Sequence, residues 1–150
     1  MTLKEQIRTD LTTAMKARDE VRSSTLRMVL TAITNAEVAG KVARELSDEE
    51  VITVLSSESK KRREAATAFA DGGRAEQAAK ETAEAAVIAD YLPEQLSADE
   101  IADLVRAAIE KTGASEPREM GKVMGVVTPQ VKGRADGGAV AAEVRRQLGA

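Results

Sequence analysis

Cysteine is absent from this chain, and so is histidine. The first absence excludes a disulfide framework, a thiolate nucleophile and thiolate metal ligation. The second removes the usual general base near neutral pH and the commonest zinc ligand. Tryptophan is also missing, and aromatics are 1% of the chain, supplied by Phe69 and Tyr91. Modules that splay single-stranded RNA stack its bases on several aromatic side chains. Two aromatics exclude that design, so any nucleic acid would be held through its phosphates and its shape. No apolar run approaches the roughly 18 residues a membrane span requires. Near the start, Leu3, Ile7, Leu11 and Met15 fall on one helix face, with Lys4, Glu5, Arg8 and Asp10 between them. This is amphipathic helix and no signal peptide. The expected location is the cytoplasm, with no membrane partner.

What is present fits a small helical protein. The 150 residues are 43% hydrophobic and 31% charged, enough for one domain or two small ones. Alanine, leucine, glutamate, lysine and arginine abound, and runs of β-branched and aromatic residues do not occur, which predicts an all-α fold. Helices are expected at about 2–17, 19–38, 48–70, 74–91, 98–112 and 137–148. The second is apolar over a wide arc, from Val21 through Leu26, Met28, Val29, Leu30, Ala32 and Ile33 to Ala36, and should be the most buried element of the first half. Ser47-Asp-Glu-Glu50 and Ser97-Ala-Asp-Glu100 read as capping boxes, in which serine hydroxyl and glutamate carboxylate satisfy each other's free amides. Acids in those first turns also suit the helix dipole. The fourth helix has a mostly alanine inner face and should pack closely. Tyr91-Leu-Pro-Glu-Gln-Leu96 ends it, because the residue before proline avoids the helical region. The domain boundary is placed there, giving a four-helix N-terminal domain, 1–92, and a tail domain, 93–150. The tail is marginal for a core of its own, and close backbone packing at Gly121 and Gly125 is expected to help it fold.

Several residue groups invite a chemical reading. Ser56-Ser-Glu-Ser-Lys60 sets serines beside a lysine, a pairing some amidases use. These residues sit mid-helix, without the strained turn that exposes a nucleophile. Lys60-Lys-Arg-Arg63 reads as a solvated face ahead of a phosphate contact, with Glu58–Arg62 and Lys60–Glu64 as i,i+4 pairs worth about 0.3–0.5 kcal/mol each. Glu81, Glu84, Asp90 and Glu94 form no convincing metal set without histidine. Neither a metal nor a cofactor is expected, and no catalytic residue is assigned.

The most informative stretch runs from Met120 to Asp136. Gly121 and Gly125 lie one helical turn apart, leaving one side of a short helix as bare backbone open to close approach. Thr128-Pro129 resembles an N-cap with proline at the first helical position. Gly133 suits a left-handed cap, and Asp136 suits the N-cap of the final helix. Lys122, Lys132 and Arg134 cluster by sequence at this corner, and Arg145 and Arg146 follow in the last helix. Residues 117–150 hold six cations against three acids, leaving 16 cations and 22 acids before them, so the tail is +3 and the remainder −6. Two readings stand: a tight architectural corner, or a basic surface that meets a phosphate-bearing partner.

A family resemblance bears on this choice. Leu26-Arg-Met-Val-Leu-Thr-Ala-Ile33 with Asn35-Ala-Glu37, Lys61-Arg-Arg-Glu64 through Phe69 to Gly73-Arg74, and Glu81 with Glu84 carry it. So do Tyr91-Leu-Pro-Glu-Gln-Leu96, Met120-Gly-Lys-Val-Met-Gly125 and Lys132-Gly-Arg-Ala-Asp136. Over essentially its full length the chain resembles a YqeY-type member of the GatB/YqeY family. That likeness implies a four-helix part followed by a small three-helix tail, the module that ends the B subunit of the glutamine-dependent tRNA amidotransferase. In the family the tail is implicated in holding tRNA. Carried over, the contact candidates are Lys122, Lys132, Gly133 and Arg134, to which the charge pattern adds Arg145 and Arg146. The chain departs from the amidotransferase subunit by lacking its catalytic body and by having Asp136-Gly-Gly138 where that subunit often has Asn-Pro. The expected function is a tRNA- or RNA-interacting helical module. The alternatives are an amidotransferase-like subunit, with carbon–nitrogen ligase activity and glutamine as amido-N-donor, and an adaptor that binds a protein partner.

Overall fold

The computed structural model describes residues 1–149. Among them are seven α-helices, one 3-10 turn and no strand, so the protein is all-α. The backbone falls into two compact units, Met1–Leu92 and Pro93–Ala150.

The first unit contains α1 (Leu3–Lys16), α2 (Glu20–Glu37), α3 (Asp48–Asp71) and α4 (Ala75–Ala89). Each of the first three starts on a side-chain cap. Thr2 and Glu5 form a capping box, Asp19 accepts from the Arg22 amide, and Ser47 and Glu50 form the second box. A cap of this kind stabilises a helix start by about 1 kcal/mol. The core joins Ile7 of α1, Leu26, Val29 and Ile33 of α2, Val51 and Leu55 of α3 and Ile88 of α4. Each is at most 1% exposed, and full burial of such a side chain stabilises by roughly 1.5–3 kcal/mol. The longest helix interface is that of α3 with α4, where alanines keep the α4 surface low.

As expected, α2 is the most buried helix of this unit, with five buried residues against two, four and three in α1, α3 and α4. Its buried stripe is narrower than its apolar arc: Val21 is 42% exposed and Met28 39%. Polar Ser23 and Thr25 take the places beside Leu26 in the interior. Contrary to expectation, Lys60–Arg63 is not a uniform solvated face. Lys60, Lys61 and Arg63 are exposed, but Arg62 is buried. Its Nε donates to Glu84 Oε2 across the α3–α4 interface at 3.2 Å, and its Nη1 donates to Glu58 Oε1 at 3.2 Å. The Glu84 carboxylate is buried as well. Of the serines in the 56–60 segment, Ser57 is exposed, Ser59 is buried, and the Ser56 hydroxyl is enclosed without a hydrogen-bond partner among the described residues.

The second unit contains α5 (Ala98–Thr112), a 3-10 turn (Pro117–Glu119), α6 (Met120–Val131) and α7 (Gly137–Gln147). Ser97 and Glu100 form the capping box that opens α5, and Gly113 closes it in the left-handed region at φ +71°. The core is Ile101, Val105 and Ala108 of α5, Val123, Val127 and Val131 of α6, and Val140 and Val144 of α7, with Ala114 and Leu148. Valines recurring every fourth residue give α6 a narrow, stiff inner face.

Here α6 departs from expectation. It runs unbroken through Pro129, so Thr128 caps nothing. Proline inside a helix forfeits one hydrogen bond and costs about 3 kcal/mol. The burial of Val127 and Val131 on either side of it offsets that cost. The carbonyl deprived of its donor belongs to Gly125, which is exposed and bears no side chain to screen it from water. Gly121 and Gly125 do not receive another helix either: a methyl group at either position would meet nothing within 4 Å. The unit closes on its valines.

Candidate nucleic-acid interface

The connection between α6 and α7 is five residues, Lys132-Gly-Arg-Ala-Asp136. Lys132 leaves the helix in extended backbone, at φ −55° and ψ 122°. Gly133 turns at φ +75°, a region where a Cβ would be strained. The amides of Arg134 and Ala135 then both reach back to the Val131 carbonyl, at 2.8 and 3.1 Å. Asp136 caps α7, accepting from the Gly138 amide at 3.3 Å.

The outer side of this turn is fixed by the segment Pro93–Leu96. The Leu96 amide donates to the Arg134 carbonyl at 2.8 Å. Gln95 Nε2 donates to the Gly133 carbonyl at 2.8 Å and to the Pro93 carbonyl at the same distance. Arg134 Nε donates to the Glu94 carbonyl at 3.1 Å. Two stretches that each look like isolated turns in the sequence thus form one hydrogen-bonded clasp. No local signal pairs them, since 38 residues separate Gln95 from Gly133.

The six cations of residues 117–150 divide into two groups. Arg118 pairs with Glu116 at 2.6 Å, Lys122 with Glu119 at 3.6 Å and Arg146 with Glu143 at 2.5 Å. The Arg146 pairing is bidentate, with Nε on the second carboxylate oxygen at 2.9 Å. Arg146, followed by Gln147, holds the Glu143 carboxyl down at about 2. Glu119 is likewise lowered, first by the Ser115 amide and less by Lys122. Lys132, Arg134 and Arg145 make no ion pair among the described residues. Lys132 and Arg145 are exposed and Arg134 is half-buried. The Arg134 charge is felt at Glu100, whose carboxyl lies below its usual range chiefly because the Ser97 amide donates to it at 3.1 Å.

The structure therefore brings Lys132, Gly133 and Arg134 together and separates Lys122 from them. With α6 continuous, Lys122 sits about 15 Å from Lys132 along the helix axis, at a rise of about 1.5 Å per residue. Arg145 and Arg146 lie in the last turn of α7. Gly133 serves the turn by its backbone, and its carbonyl is already taken by Gln95.

Among the described residues, no group of acids is arranged to hold a metal ion, and no helix is long and apolar enough to cross a membrane. Compared with known proteins, the chain matches the family model described as Yqey-like protein over residues 4–148. None of the curated proteins matches it.

Proposed function

Because the chain belongs to the Yqey-like protein family, we propose that it is a small helical module that contacts tRNA, or a similarly structured RNA, through the cations of its second unit. Lys132 and Arg134 are the principal contacts, Arg145 adds to them, and Lys122 and Arg146 contribute less. The observation that carries this reading is the ion pairing of the tail cations. Lys132 and Arg134 stand on a turn held by backbone hydrogen bonds, with no carboxylate paired to either among the described residues. A cation already paired on its own surface must break that pair before it neutralises a phosphate. A cation without a carboxylate on it has no such pair to break.

The chemistry of this reading is contact without catalysis. With two aromatics in the chain, recognition runs through phosphates and the shape of a folded RNA. Three cations neutralise a few phosphates, giving affinity of micromolar class that weakens as salt is raised. The same reading relates the module to tRNA-dependent amidation as a holding surface, with the reacting groups supplied by another protein.

The test is the affinity of the full chain for tRNA as a function of salt. Wild type should bind at low salt, with affinity falling as roughly the second or third power of salt concentration. Lys132→Ala with Arg134→Ala should reduce that exponent by about two. Lys122→Ala should change it little. Absence of binding at low salt, or an unchanged exponent in the double variant, overturns the reading.

A further inference from the structure

The first unit carries a groove of about 630 Å³ between α2 and α4, lined also by the turn that joins α1 to α2. Its lining is mixed in character. Met15 is 51% exposed and Val21 42%, so two large apolar side chains face water within one groove. Beside them stand Arg18, Arg27 and Lys80. None of these three cations makes an ion pair or a side-chain hydrogen bond among the described residues. Two acids share the lining. Glu84 is already engaged by Arg62 at 3.2 Å, which leaves Glu20 as the lining acid without an ion pair among the described residues.

The backbone at Arg18 strengthens the case. The Asp19 amide donates to the Ala14 carbonyl and the Arg18 amide to the Met15 carbonyl, which together form a Schellman cap on α1. The residue at the turning point is normally glycine, because the left-handed region is strained for a side chain. This chain has arginine there at φ +58°, the one residue other than glycine with positive φ among those described. The strained position therefore carries a guanidinium at the groove.

We propose that the groove docks an acidic segment of a partner protein, one with apolar side chains interspersed among its carboxylates. Carboxylates would meet Arg18, Arg27 and Lys80, and apolar side chains would cover Met15 and Val21. Exposed methionine suits such a contact because its flexible, polarizable side chain adapts to the occupant. A nucleic-acid strand satisfies the cations but leaves both apolar side chains in water, and a basic peptide leaves the cations opposed by like charge. This site is independent of the RNA reading and involves none of its residues.

The experiment titrates the isotope-labelled full chain with three probes, following backbone amide shifts. The probes are a synthetic amphipathic peptide of leucine and glutamate at helical spacing, the same peptide with lysine for glutamate, and poly(U) RNA. The acidic peptide is expected to shift the amides of residues 15–28 and 80–84, and the lysine peptide to leave them in place. Arg27→Glu with Lys80→Glu should weaken the acidic peptide about tenfold. Arg18→Gly should weaken it less, and with no loss of melting temperature, which separates loss of contact from loss of fold. No shift with the acidic peptide, shifts confined to other residues, or an affinity unmoved by the charge reversals overturns the proposal. Stronger perturbation of the same amides by poly(U) overturns it in favour of RNA.

Discussion

At the scale of single residues, buried charge is the most consequential feature. Arg62 and Glu84 are 8% and 5% exposed and face each other across α3 and α4. Removing one member of such a pair strands the other in a poorly solvating interior. Arg62→Ala should therefore destabilise the protein by about 3 kcal/mol in urea unfolding, and Arg62→Met with Glu84→Leu should cost less than the single change. Tyr91 supplies a second residue-scale prediction. Its hydroxyl donates to Asp10 at 2.5 Å, and Arg22 donates to it and to Asp90. Burial, reinforced by Asp10, pushes the phenol up to about 12. A group that holds its proton more tightly when folded contributes stability that is complete below its unfolded value near 10 and is lost as pH rises toward 12. Tyr91→Phe should cost about 1 kcal/mol at pH 7 and flatten the fall in stability between pH 10 and 12, as read from urea unfolding at a series of pH values. The sequence did not disclose Arg62. Its i,i+4 partner Glu58 is visible, but the acid that takes it inside lies 22 residues away on another helix.

At the scale of elements, local chemistry was legible and long-range pairing was not. The boxes at Ser47 and Ser97 open their helices as read, because a capping box is a contract among four consecutive residues. The cap on α7 at Asp136 and the left-handed turn at Gly133 were equally local and equally plain. Proline misled the reading at α6. Its local penalty is fixed, whereas the gain from burying Val127 and Val131 depends on helices elsewhere in the chain. The apolar arc of α2 did single out the most buried helix of its unit, but hydrophobicity alone does not say which part of an arc finds a neighbour. Three glycines of this region now separate by role. Gly125→Ala should raise stability by about 0.5–1 kcal/mol, because alanine is the better helix former and the site has room. Gly121→Ala should do so to a lesser degree, being in the first turn. Gly133→Ala should lower stability by about 1–2 kcal/mol, because a side chain is strained at φ +75°. Thermal unfolding of the three variants separates these outcomes.

At the scale of the whole molecule, the two units use separate cores. The buried cluster of the first contains no residue beyond Ile88, and the flanking apolar residues end at Leu92. Residues 1–92 expressed alone should fold cooperatively with a helical spectrum. A fragment that stays disordered would show that this cluster is insufficient by itself. The +3 charge of the tail conceals a contrast among its cations. Glu116, Glu119 and Glu143 pair with three of them, and the other three make no ion pair among the described residues. Which cations stay available depends on helix phase and turn geometry, and neither is countable from a list of residues.

The clasp between Pro93–Leu96 and the α6–α7 turn has a consequence for how this chain tolerates insertions and deletions. Gln95 and Leu96 each donate to a chosen carbonyl of the opposite turn. A single residue gained or lost between Pro93 and Leu96 would shift both donors out of register at once. Length drift is thus barred from this short stretch, while the ten-residue link from α2 to α3 has more room to vary.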